Sequence, residues 1–147
     1  MNQDKMEKVA AVAKVNEQQS AIDFSASAQS HAGKQAQLDQ LLQFKSDYED
    51  ALAQKSRAGM TASQLQDYRL FLAKLDQAIE QQTQDLRVAR EDLTQVRAAW
   101  IDKSQRKSAL EHLVEERRKE QRRLREKAEQ VEADERAMTR PQDDGAE

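Results

Sequence analysis

Stepping from Leu65 by three and four residues in alternation lands on Leu65, Tyr68, Leu72, Leu75, Ile79, Gln82, Leu86, Ala89, Leu93, Val96, Trp100, Lys103, Lys107, Leu110, Val114, Arg117, Gln121, Leu124, Ala128, Val131, Glu135 and Met138. Sixteen of these 22 positions are apolar, counting alanine and tyrosine, and the repeat runs for more than ten heptads without a skip. Seven residues fall slightly short of two helical turns, so a strict heptad demands a left-handed supercoil with a partner. At 1.5 Å per residue, residues 62 to 140 would make a rod of roughly 120 Å. Pro141 and the polar tail PQDDGAE end it, and residues 141–147 are expected to be disordered. A single amphipathic helix on a globular body fits poorly, because no sequence remains to build that body.

The partner is expected from the same chain. In RAGMTASQLQDYRLF, residues 57–71, Gly59 suits the position just past a helix end, since it takes φ > 0 without a Cβ clash. Arg57 precedes it, where a cation favours the negative end of the helix dipole. Thr61 and Gln64 fit a capping box, and Met60 with Leu65 a hydrophobic staple. An isolated glycine inside one continuous helix is the alternative, at a cost of only about 1 kcal/mol. The turn is the better reading because four separate signals agree on it.

Upstream the pattern weakens but stays helical. Leu38, Leu42 and Leu52 give one spacing, Leu41, Phe44 and Tyr48 another, and Met6, Val9 and Ala13 a modest stripe. Small and polar residues fill Ser20 to Gln37, where Gly33 is a candidate fray or kink. A short connection makes its helices antiparallel neighbours. The expected fold is therefore all-α: one long antiparallel two-helix coiled-coil hairpin over residues 1–140. Helix 1 should span about 3–57, the turn 58–61 and helix 2 about 62–140. Counting outward from the turn sets residue 1 opposite roughly residue 120, so the last ~20 helical residues overhang.

Composition excludes several classes. There is no cysteine, so no disulfide framework and no thiolate metal site. Neither a signal peptide nor a membrane span is present, which points to a soluble cytoplasmic protein. Charged residues make up 35% of the chain, yet the net charge is only −3, too small to name a partner. His31 and His112 lack a ligand cluster, and there is no phosphate loop or nucleophile elbow. A two-helix rod offers no concave pocket. The chain is expected not to be an enzyme and to need no cofactor, metal or small-molecule substrate.

Two surfaces invite partners. Near the turn, Phe71, Leu75 and Ala78 form a stripe beside the seam, and Leu41, Phe44 and Tyr48 form another flanked by Gln37. These stripes either widen the seam or form an exposed docking patch. Toward the other end, EERRKEQRRLREK (Glu115 to Lys127) holds seven basic and four acidic residues, and from residue 128 onward the balance turns acidic. A solvated face laced with i, i+3 and i, i+4 pairs is one reading. A specific electrostatic contact is the other, with protein favoured over nucleic acid because no aromatic interleaves the arginines.

The order LLQFKSDYEDAL, AGMTASQLQDYRLFLAKLDQAIEQQ, VRAAWIDKSQRKSALEHLVEERR and KAEQVEADERA resembles the flagellar export protein FliJ family, from about Leu38 to Ala137. The resemblance implies a coiled-coil hairpin similar to the gamma-subunit stalk of rotary ATPases. It also implies a non-enzymatic part of the flagellar type III export apparatus, needed for flagellar biogenesis and motility. The implied partners are the flagellar export ATPase hexamer, the cytoplasmic domain of the export gate and the export chaperones, whose recycling the family serves. The implied location is the cytoplasm, peripherally at the cytoplasmic face of the inner membrane. Carried onto this chain, Gln37, Leu41, Phe44, Tyr48, Phe71, Leu75, Ala78 and Gln82 would dock the gate. Residues 1 to about 20 and 110 to 140 would enter the ATPase ring, with Arg117, Arg118, Arg122, Arg123 and Arg125 as its contacts. Alternatives are the equivalent stalk of a virulence type III injectisome, and a structural or nucleic-acid-associated coiled coil.

Overall fold

A computed structural model describes residues 2–139; the expected tail, 141–147, and the last residue of the expected second helix lie outside the described residues. The chain is all-α. Two helices, α1 (Gln3–Ala58) and α2 (Ala62–Thr139), pack on each other as a helical hairpin. Among the described residues, no helix is long and apolar enough to cross a membrane.

The connection is Gly59, Met60 and Thr61. Gly59 has φ +106°, a backbone that side chains rarely adopt, so α1 stops there. The restart is a reciprocal capping box. The Gln64 N–H donates to Thr61 Oγ1 at 3.1 Å, and the Thr61 N–H donates to Gln64 Oε1 at 3.2 Å. The first turn of α2 then closes with the Leu65 N–H on the Thr61 carbonyl at 3.1 Å. At the other end of α1, Asn2 is the cap: its Oδ1 accepts the Lys5 N–H at 2.8 Å. Gly33 causes no break, and α1 runs unbroken through the serine-rich stretch.

The seam of α2 follows the heptad from Leu65 to Val114, and every one of those positions is buried or half-buried. Its facing row on α1 is also a strict heptad: Gln3, Met6, Ala10, Ala13, Glu17, Ser20, Phe24, Ser27, His31, Lys34, Leu38, Leu41, Lys45, Tyr48 and Leu52. Seven of these fifteen are polar, which hid the repeat from a search for apolar spacing. One expected spacing was off by a residue: Leu41 belongs to the seam, whereas Leu42 stays 47% exposed.

The chain divides into two compact units. The turn unit is residues 18–102, and in it the helices exchange polar contacts as well as apolar ones. Ser27 Oγ donates to Asp92 Oδ2 at 2.7 Å, Lys45 pairs with Asp76 at 2.6 Å, and Phe24 stacks on Trp100 with centroids 5.6 Å apart. The terminal unit is residues 1–17 with 103–147. Here Ala10 and Ala13 are the buried residues of α1, Val114 that of α2, and Lys107 reaches Glu17 at 3.7 Å.

Candidate docking faces

The first face lies in the turn unit and is built from both helices. Tyr48, a half-buried seam residue, is its centre. Its ring lies 4.6 Å from Phe71, 5.0 Å from Tyr68 and 6.3 Å from Phe44, centroid to centroid. Phe44 meets Phe71 edge-on at 6.1 Å. Four aromatics so placed make one continuous surface, favoured by ring quadrupoles as well as by area. Phe44 remains 50% exposed and Phe71 38%, so the cluster covers the seam and still meets solvent. Lys55 lies over the Tyr68 ring at 5.1 Å and donates to its hydroxyl, which holds the lysine pKa above its usual value.

The other expected gate residues lie along the same two helices. Gln82 Nε2 donates to Gln37 Oε1 and to the Lys34 carbonyl, each at 3.1 Å. That ties the exposed Gln37 to the half-buried Gln82 and satisfies a polar seam position. Leu41 is half-buried in the seam and Ala78 is exposed. Leu75 is only 7% exposed, so it supports the face from beneath and offers no surface of its own. Sequence reasoning omitted Tyr68 from this set, although its place three residues before Phe71, on the same side of α2, is the signal that could have found it. The omission of Lys45 has the same origin. Its hydrogen bond to Asp76 raises its pKa and ties α1 to α2 next to Phe44 in sequence.

The second face lies in the terminal unit. Arg118 donates through Nε and Nη2 to Glu7 Oε1, at 3.1 and 2.8 Å. This charge-assisted fork holds the Glu7 carboxyl below its usual pKa, with Gln3 contributing a further hydrogen bond. Arg117 reaches the Met6 sulfur at 3.3 Å. Both arginines are thus committed to α1. Arg122 lies 3.6 Å from Glu115, and Arg123 grips Glu120 at 2.7 Å, lowering that carboxyl's pKa. Arg125 makes no ion pair among the described residues. From Glu115 to Thr139 every residue of α2 is exposed, including seam-register Leu124, Val131 and Met138.

Among the described residues no group of three or more His, Cys, Asp or Glu is placed to hold a metal ion. What both faces offer is contact area: aromatic and amide in one case, cationic and extended in the other.

No curated protein and no solved structure matches the chain. A match to the family described as Flagellar FliJ protein covers residues 2–145, nearly the whole sequence. A helical hairpin agrees with a family of export-associated coiled coils. The chain belongs to the flagellar FliJ family and is a coiled-coil protein associated with flagellar export.

Proposed function

We propose that this chain is the stalk of the flagellar type III export apparatus. The terminal unit enters the ring of the export ATPase hexamer, and the aromatic face of the turn unit docks on the cytoplasmic domain of the membrane export gate. The same chain takes part in recycling export chaperones, and it works in the cytoplasm, peripherally at the inner membrane. The observation that carries the reading is the segment from Glu115 to Thr139, a helix with every residue exposed in a chain matched end to end to the family. A helix that buries nothing at home is suited to a polar lining that surrounds it. Its arginines supply charge that such a lining can pair, first at Arg125, which makes no ion pair among the described residues, and then at Arg122 and Arg123, whose partners Glu115 and Glu120 lie on the same exposed helix, whereas Arg117 and Arg118 are engaged with α1.

Titration of purified export ATPase and gate domain against variants tests the assignment. Replacing Phe44 and Phe71 together by alanine should weaken gate binding by roughly thirtyfold, the effect of about 2 kcal/mol at an interface centre, and leave ATPase binding unchanged. Arg122→Glu with Arg123→Glu should do the reverse. If each set of changes weakens both partners equally, the division of labour is wrong. If neither partner binds the wild-type chain, the stalk reading fails.

A further inference from the structure

The geometry points to a second copy of this chain as a partner for the overhanging part of α2, held in an antiparallel pair over residues 121–138. The pair uses the segment that the stalk reading places in the ATPase ring, so one copy cannot occupy both at once and the dimer belongs to the chain outside the ring. The starting point is a repeat that outlasts its partner. The heptad continues through Gln121, Leu124, Ala128, Val131, Glu135 and Met138, and among the described residues nothing covers them. Leu124 is 52% exposed, Val131 50% and Met138 86%. A second overhang running antiparallel to the first would lie along α2 as α1 does, on the line that α1 leaves at its N-terminus.

Charge selects this occupant and its orientation. The first half of the overhang is basic and the second acidic: Arg122, Arg123, Arg125 and Lys127 precede Glu129, Glu132, Asp134 and Glu135. Antiparallel pairing sets each half against the other half of the second copy. With Ala128 facing the second copy's Val131, the flanking positions bring Lys127 opposite Asp134 and Arg125 opposite Glu132. Two-fold symmetry makes each of these pairs twice, with no like-charged pair among them. Sliding the copies by one heptad would instead set Lys127 against Lys127 and Arg125 against Arg125. A parallel arrangement would place Glu135 on Glu135 and Arg117 on Arg117 in the seam itself. Arg125, Lys127 and Asp134 make no ion pair within the chain among the described residues, so they are available for this one, whereas Glu132 already holds Arg136 at 2.7 Å and would share its carboxylate; Lys127 with Asp134 is therefore the stronger pair. The overlap is about 27 Å of helix, small enough for a reversible association.

Sedimentation velocity on the full chain, from low micromolar to sub-millimolar loading, tests the pair. The wild type should move from monomer to dimer as concentration rises, and high salt should reverse it because the ion pairs are exposed. Lys127→Glu should weaken the dimer by about tenfold, since two attractive pairs become two repulsive ones. Adding Asp134→Lys to that variant should restore the dimer to near the wild-type strength. Circular dichroism of each variant, expected to be unchanged, confirms that the helix is intact. A chain that stays monomeric throughout overturns the proposal. So does a dimer that Lys127→Glu leaves untouched, or one that the second change fails to rescue, since a parallel pair would not be rescued.

Discussion

The turn unit and the terminal unit carry the same seven-residue repeat and use it differently. In the turn unit, seam positions on α2 are filled by Leu72, Leu75, Ile79, Leu86 and Trp100, and facing residues on α1 cover them. In the terminal unit the buried residues of α1 shrink to Ala10 and Ala13, and past the contacts of Arg117 and Arg118 with Met6 and Glu7 the repeat on α2 continues with no described residue of α1 opposite. A heptad therefore specifies which face of a helix could be buried. Whether it is buried depends on where the partner ends.

The sharpest way to break this contrast is a pair of identical truncations. Leu86 is 5% exposed, and Leu86→Ala should destabilise the chain by about 3 kcal/mol in denaturant unfolding, toward the low end for core leucines because a two-helix seam is never deeply enclosed. Leu124→Ala, at the same kind of seam position, should change stability by no more than about 0.5 kcal/mol in dilute solution. Equal effects would mean that the repeat alone, and not its partner, determines stability.

A middle-sized effect is expected in the aromatic face. An outer-face reading of Phe44, Tyr48 and Phe71 would make all three nearly neutral to folding. The ring contacts separate them. Tyr48 touches three other aromatics and is half-buried, so Tyr48→Ala should cost about 2 kcal/mol, while the half-exposed Phe44→Ala should cost about 1 kcal/mol. Thermal melts on the two variants check the ranking, and a smaller loss for Tyr48 would place the seam elsewhere.

The smallest effect concerns pH. The Glu7 carboxyl is held below its ordinary value of 4.5 by Arg118 and Gln3. A depressed folded-state pKa contributes stability that is present above the unfolded value and lost as pH falls through the folded one. Acidification below about 4.5 should therefore lower the melting temperature of the wild type slightly more than that of Glu7→Gln. The pair is solvent-exposed, so the difference should also shrink in high salt. A Glu7→Gln chain with the same acid sensitivity as wild type would show that the fork does nothing for folding.

Much of this was legible in the sequence, for identifiable reasons. The turn could be read because its chemistry is local: Gly59 takes the positive φ, and Thr61 and Gln64 satisfy one another, all within six residues. The α2 register from Leu65 to Val114 could be read because leucine, valine and tryptophan dominate it. The α1 register could not, because a seam position there is as often Ser27, Lys34 or Glu17 as it is Leu38. Such residues are accommodated by cross-helix partners, Asp92 for Ser27 and Lys107 for Glu17, which no single-helix pattern reveals. In the docking faces, the aromatics of the first were visible as stripes. The commitment of Arg117 and Arg118 to α1 was not, since it depends on which α1 residues arrive opposite them.

The three-residue turn also orders events in time. Cross-helix contacts begin only 13 residues apart in sequence at Lys55 and Tyr68, widen to 45 at Gln37 and Gln82 and 65 at Ser27 and Asp92, and reach 111 at Glu7 and Arg118. Closing the first of these costs little chain entropy, and each later one closes only a short additional loop once its predecessor has formed. Folding should then run like a zip that starts at Gly59, with the chain ends joining last and opening first. Native-state hydrogen exchange would register this as protection that declines from Leu75 and Leu86 toward Ala10 and Val114. Uniform protection along both helices would mean that the hairpin closes all at once.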